Sequence, residues 1–312
     1  MPTHSAGATS RIVGSVGVLV LAMVSIQTGA ALAKQLFPAV GPAGASTLRL
    51  LLAAIILGAV LRPWRVRLTR PVWRSVLVYG IALAGMNAFF YLALVSIPLG
   101  IATALEFTGP LFVATIASRR PLDFLWVALA LAGLLLLLPI GATTGSVDPV
   151  GAGYALAAGI CWGLYIVFGQ KAGAEQGVRI TALGVAIAAV CVFPFGLSQA
   201  GVTALFAPEI LPLAIAVAVL ATAIPYSLEM IGLRRLPRRT FGTLMSLEPA
   251  IAALSGLLLL GERLAPIQWL AIMAIIAASV GTTITAVRPE DSPPLSDPPV
   301  MGAEGTPEAT PA

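Results

Sequence analysis

The chain has 312 residues, is 58% hydrophobic and carries only 10% charged residues with a net charge of +5, against about 25% charged in a soluble domain. That composition excludes water as the main solvent, and the clustering of its basic residues between apolar runs points to membrane orientation, with no nucleic-acid partner expected. The single histidine is His4 and no Gly-x4-Gly-Lys stretch occurs. Histidine-based metal sites and catalytic triads inside the membrane body are thereby excluded, as is ATP hydrolysis by a phosphate loop. No cofactor or metal is expected, and uphill movement of a solute by this chain would draw on an ion gradient.

Apolar runs of about 17 to 25 residues, each long enough to cross a bilayer, predict ten spans near 12–33, 43–61, 72–95, 98–117, 122–140, 149–170, 178–199, 208–231, 239–260 and 265–287. The short connections make neighbours antiparallel. The first run closes on Ala31-Leu32-Ala33, the form of a signal-peptidase site. Its apolar stretch of about 20 residues exceeds the 7 to 15 of a signal segment, so the span is expected to be retained. Cys161 and Cys191 fall inside the sixth and seventh spans and read as core thiols.

The loops between these spans sort the charge. Placing the N-terminus inside puts Arg11, Arg62, Arg65, Arg67, Arg70, Arg74, Arg119, Arg120, Lys171, Arg179, Arg234, Arg235, Arg238, Arg239 and Arg288 on the cytoplasmic side, fifteen of the 18 basic residues. Lys34 and Arg263 fall outside and Arg49 within a span. Both termini are therefore expected in the cytoplasm, with the lipid bilayer as the surrounding partner.

The halves resemble each other. Ser96-Ile97-Pro98 is followed twelve residues later by Pro110, and Arg235-Leu236-Pro237 twelve later by Pro249; Lys34-Gln35 and Gln170-Lys171 close the opening spans. The fold class expected is an all-α integral membrane protein of ten transmembrane helices in two five-helix repeats. Because five is odd, the second copy is inverted, a design that places a substrate site near the midplane between the repeats. The domains are a cytoplasmic tail at 1–11, the first repeat at 12–140, the second at 149–287, and a tail at 288–312 whose proline, serine and acidic residues predict disorder.

A charge at mid-bilayer costs about 2.5 to 3.5 kcal/mol or more, so each intramembrane ionisable residue is a candidate for function. Glu106, in Glu106-Phe107-Thr108-Gly109-Pro110, and Glu248, in Ser246-Leu247-Glu248-Pro249, each lie eight or nine residues into a span beside a proline that frees a backbone carbonyl. Either could exchange a proton, meet a substrate ammonium, or be a carboxyl satisfied by a neighbouring helix. Arg49, six residues into the second span, could pair with a glutamate, receive a carboxylate bidentately, or snorkel outward. Lys34 reads as an interfacial anchor and Glu229 as a partner of the nearby arginines. Asn87 with Tyr91, Trp162 with Tyr165, and Gln27 with Thr28 could line a pocket or join neighbouring helices. Ala155, Gly159 and Gly163 read as a close-packing series.

The stretch Pro98-Leu-Gly-Ile-Ala-Thr-Ala-Leu-Glu106-Phe-Thr-Gly-Pro110, the loop Ser118-Arg-Arg-Pro-Leu-Asp123, the run Pro225-Tyr-Ser-Leu-Glu229-Met and the segment Arg239-Thr-Phe-Gly-Thr-Leu-Met-Ser-Leu-Glu248-Pro249 carry a family resemblance. Over residues 12–287 the chain resembles the bacterial threonine/homoserine exporters of the EamA-type ten-helix drug/metabolite transporter superfamily. The resemblance implies an inner-membrane secondary transporter that exports threonine, homoserine and related neutral amino acids at the expense of the proton gradient. It brings no settled site motif, so the candidates Glu106, Glu248, Arg49, Thr108, Ser246, Asn87, Tyr91, Trp162, Tyr165 and Gln27 rest on residue chemistry. The alternatives are export of another small metabolite or drug on the same scaffold, since fold does not fix substrate, or a passive channel. An intramembrane enzyme lacks a paired nucleophile and base.

Overall fold

A computed structural model describes residues 3–65, 68–117, 147–176, 179–226 and 245–285, with Leu228 and several residues between 125 and 136. Among these residues the secondary structure is helical throughout. The helices are α1 (Thr3–Lys34), α2 (Phe37–Leu61), α3 (Arg70–Ala93), α4 (Leu99–Glu106), α5 (Thr108–Ala117), α6 (Pro149–Gln176), α7 (Arg179–Leu205), α8 (Leu211–Ala218), α9 (Glu248–Leu260) and α10 (Pro266–Thr285). A π-helical turn, Val219–Ala223, continues α8. The expected fourth span is the broken pair α4–α5. Most of the expected fifth span, the inner ends of the eighth and ninth, the arginines between them, Glu229 and the C-terminal tail lie outside the described residues.

Among the described residues five helices are long and apolar enough to cross a membrane: Gly17–Lys34, Phe37–Leu61, Arg70–Ala93, Pro149–Gly169 and Arg179–Leu205. The 25 residues of α2 reach roughly 37 Å at about 1.5 Å per residue, more than the ~30 Å hydrocarbon thickness. Large apolar side chains face outward, among them Val60, Ile160, Val190 and Leu258 at 71%, 68%, 74% and 79% exposure. Polar Gln27, Arg49, Asn87, Glu106, Thr222 and Glu248 are buried. This is the reverse of a water-soluble surface, because lipid solvates apolar groups and leaves polar ones to be satisfied within the bundle. Exposed Trp64 and Trp73 flank the α2–α3 connection beside Arg62, Arg65, Arg70 and Arg74, the pairing of aromatic and basic residues found at a membrane interface.

Caps and breaks follow local chemistry. The α1–α2 connection is only Gln35-Leu36, closed by amides bonding back to Leu32 and Ala33. Gly41, at φ 68°, kinks the first turn of α2 away from the rest. At the end of α9, Gly261 takes φ 65° and the Glu262 amide returns to the Gly256 carbonyl at 3.1 Å, the usual glycine-terminated closure.

The packing follows a pattern. α2 lies along α7 and α4 along α9; α3 packs on α6 and α7, α1 on α9 and the π turn, α2 on α8 and the π turn, and α6 on α4 and α5. Numbered as the ten expected spans, these pairs map onto one another under a five-span shift, whereas the packing of α2 on α3 has no counterpart of similar extent between α7 and α8 among the described residues. Polar links join Lys34 with Glu262, Ala43 with Gln199, and Ser96 with Asp148. Tyr79, Ala172 and Ile180 share one apolar cluster.

Candidate functional site

α4 and α5 would be one helix but for Phe107-Thr108-Gly109-Pro110. Pro110 has no N–H to return to the Glu106 carbonyl, and the chain turns at Phe107, whose own amide bonds to Thr103 at 2.9 Å. The Thr108 hydroxyl donates to the Leu105 carbonyl at 2.6 Å, so this candidate seals the break and does not enter the cavity described below. The weakened backbone is backed by α6. A Cβ on Gly159 would lie 2.6 Å from the Glu106 carbonyl oxygen, and one on Gly109 would strike the Gly159 carbonyl. Ala155 is fully buried beside them, so the series Ala155, Gly159, Gly163 acts as a close-packing surface and lets α6 support the kink.

Glu106 ends α4 and Glu248 opens α9, each at an interruption of its span. Together with Gln27, Arg49, Asn87 and Trp162, and the apolar Ile26, Ala30, Met86 and Phe90, they line one buried cavity of about 60 Å³. That volume exceeds the ~10–15 Å³ a cavity needs to admit a water. Its walls come from α1, α2, α3, α4, α6 and α9.

The two carboxyls are incompletely partnered. The Gln27 side-chain amide donates to one oxygen of Glu248 at 3.0 Å. Among the described residues the other Glu248 oxygen and the Gln27 carbonyl oxygen have no hydrogen-bond partner, although both are buried. The Glu106 carboxyl likewise receives no hydrogen bond among these residues. A buried ionised carboxylate facing a single neutral amide is costly by several kcal/mol. Such a group is stabilised by taking up a proton or a cation.

Arg49 is only 4% exposed and so does not snorkel, nor does it pair with either glutamate among the described residues. Its Nε donates to the Thr222 hydroxyl at 2.9 Å and its Nη2 to the Ala221 carbonyl at 2.7 Å. Nη1 reaches the Tyr91 hydroxyl at a long 3.4 Å, with the guanidinium 5.7 Å from that ring. The acceptors belong to the π turn, and the cause of that turn is legible three residues on. Pro225 has no N–H for the Ala221 carbonyl in α register or the Leu220 carbonyl in π register. Side chains supply the missing donors: Arg49 bonds Ala221, and the Ser25 hydroxyl donates to Leu220 at 2.7 Å. Gly29 gives the backbone clearance, since a Cβ there would meet the Ala221 nitrogen at 2.6 Å.

The other candidates divide. Asn87 lines the cavity while its Nδ2 donates to the Leu83 carbonyl of its own helix at 2.9 Å. Trp162 lines it edge-on to Phe107, ring centroids 5.5 Å apart. Tyr91 stands behind Arg49. Tyr165 is stacked on Tyr79 at 4.7 Å, away from the cavity wall, and Ser246 is buried in the turn that enters α9. Thr222 escaped sequence reasoning, although a lone hydroxyl upstream of Pro225 in an apolar run was a usable signal. Glu262 escaped it too. It accepts Lys34 Nζ at 2.7 Å and the Leu99 amide at 2.8 Å, which makes Lys34 a structural anchor. Among the described residues no three of His, Cys, Asp and Glu gather as a metal site would require.

This geometry can be set beside known proteins. Residues 149–284 match the EamA-like transporter family. The threonine/homoserine exporter RhtA of Salmonella typhimurium strain LT2 is 58% identical over 87% of this chain and 92% of its own length. The protein of that name from Escherichia coli K12 is 56% identical over 88% and 92%. A solved crystal structure, 21% identical, covers 87% of this chain and 99% of its own with a TM-score of 0.57, a likeness of fold. The chain therefore belongs to the EamA-like transporter family and is a transporter rather than an enzyme.

Proposed function

We propose that this protein exports small neutral amino acids, threonine and homoserine among them, across the bacterial inner membrane in exchange for protons. The observation that carries the reading is the cavity itself. One guanidinium and two carboxyls line a single buried space, a charge pattern complementary to a zwitterion. Arg49 receives the substrate carboxylate, Glu248 and Glu106 meet its ammonium or a proton, and Trp162, Phe90 and Met86 limit the side chain that fits. The 56–58% identity to proteins named threonine/homoserine exporters supports the cargo.

Coupling follows from competition. A carboxyl that holds either a proton or the substrate ammonium, but not both, links the movement of one to the other. Alternating access requires two halves that can rock about the site. The correspondence of most helix partnerships under a five-span shift, and a cavity lined from both expected halves, support ten spans in two inverted repeats at 12–140 and 149–287. The loop arginines support cytoplasmic termini.

Purified protein in liposomes loaded with labelled threonine tests the reading. An imposed inward proton gradient should accelerate threonine efflux, and an uncoupler should abolish the acceleration. Flux indifferent to the uncoupler would overturn proton coupling, and absence of threonine flux would overturn the cargo. Flux that never saturates would indicate a channel. Competition by unrelated drugs stronger than that by homoserine would indicate another substrate.

A further inference from the structure

An arginine that recognises a carboxylate does so through an edge, two parallel N–H groups matched to two oxygens. Arg49 has two such edges. The Nε–Nη2 edge is already filled by the Thr222 hydroxyl at 2.9 Å and the Ala221 carbonyl at 2.7 Å. Nη1 carries only the 3.4 Å contact to the Tyr91 hydroxyl. Five N–H groups are available to a guanidinium, so one on each terminal nitrogen can still serve a ligand. The mount is a rigid one. Thr222 is fully buried, the π turn is tied to α1 through Ser25, and Gly29 lets α1 press against Ala221.

We infer that Thr222 is a positioning residue: by holding the Nε–Nη2 edge of Arg49 against the π turn, it aims the Nη1–Nη2 edge at the substrate carboxylate and so sets selectivity for carboxylate-bearing substrates. This rests on the reading of Arg49 given above. Thr222 itself touches no substrate. Without its hydroxyl, Nε loses its acceptor in a buried setting, and the guanidinium is expected to turn its Nε–Nη2 edge toward any other acceptor within reach. The remaining edge then no longer meets the carboxylate squarely. A tenfold change in affinity corresponds to ~1.4 kcal/mol, the scale of one hydrogen bond to a charged group. A loss of about tenfold or more in apparent affinity is expected.

The experiment uses the full chain in liposomes with labelled threonine, and threoninol, which lacks the carboxylate, as a competitor. Thr222→Val should raise the half-saturation concentration for threonine at least tenfold, keep the maximal rate within about twofold, and leave inhibition by threoninol unchanged. Thr222→Ser, which keeps the hydroxyl, should stay within about twofold of the parent in both parameters. Equal half-saturation in Thr222→Val and the parent would overturn the inference. So would a parallel weakening of threoninol, or a loss in Thr222→Ser as large as in Thr222→Val, since each marks damage unrelated to the carboxylate. If Thr222→Val fails to fold, Thr222→Ala takes its place in the same comparison. Arg49→Lys separates the two levels of argument. Parent-like half-saturation in Arg49→Lys would remove the role of Arg49 altogether, whereas a defect there with parent-like Thr222→Val would remove only the role of Thr222.

Discussion

The two ends of α9 carry glutamates with opposite circumstances. Glu262, just past the C-terminal end, has both oxygens engaged, one by Lys34 Nζ and one by the Leu99 amide at the start of α4. Glu248, at the N-terminal start, has one oxygen engaged by a neutral amide and the other by nothing among the described residues. The first arrangement ties three segments together with a donor on each oxygen. The second leaves a buried acceptor beside a cavity. Residue type does not distinguish a structural carboxylate from a working one here; the occupancy of its oxygens does.

Glutamine in place of the cavity glutamates should have the largest effect. Glu248→Gln and Glu106→Gln are each expected to cut uncoupler-sensitive threonine export about a hundredfold, the scale at which lost proton-transfer groups are felt, while the protein still inserts and elutes as the parent does from a sizing column. Unchanged flux in either variant would return that glutamate to the structural class of Glu262. Arg49→Lys comes next. A lysine cannot fill the Thr222 and Ala221 acceptors and also present a planar edge, so half-saturation for threonine should rise more than about tenfold.

At the rim the expectation reverses. Glu262→Gln should leave transport within about twofold and lower the melting temperature in detergent, because it weakens a partly exposed ion pair worth about 1 kcal/mol or less and a charged hydrogen bond to Leu99 worth somewhat more. Abolished transport with an unchanged melting temperature would break the comparison and make the rim pair part of the transport cycle. The smallest effect belongs to Asp148, outside the spans, whose carboxyl is held below its usual range by the Ser96 hydroxyl and then by the Gly151 amide. A lowered folded value means that the contribution is fully present above the unfolded value near 4 and is lost as pH falls through the folded one. Asp148→Asn should therefore melt slightly lower than the parent at neutral pH, with the gap narrowing as the buffer is acidified.

Much of the fold was legible from residue order. Lipid admits only backbone that satisfies its own hydrogen bonds, so apolar run length and loop arginines announce helices and their order. The site was legible in part. Glu106 and Glu248 stood out because a carboxyl at that depth needs a reason, and both do line the cavity. Tyr165 shares a helical face with Trp162, yet it turns to Tyr79, since which face meets the cavity depends on how α6 is rotated against α3. Thr108 and Ser246 were carried along with the neighbouring glutamates. The hydroxyl of Thr108 had a nearer use, closing the break that Pro110 opens.

The sequence by itself determined that the chain is a membrane protein, where its apolar runs lie, and which ionisable residues are too deep to be incidental. Those are one-dimensional properties, set by the free energy of moving each side chain or peptide group from water to lipid. Only the tertiary structure decided that Gln27 meets Glu248 across 221 positions and Arg49 meets Thr222 across 173, because such pairings depend on helix rotation and on the close approaches that Gly29 and Gly159 permit. It also decided which of the two glutamates bordering α9 is satisfied and which is not.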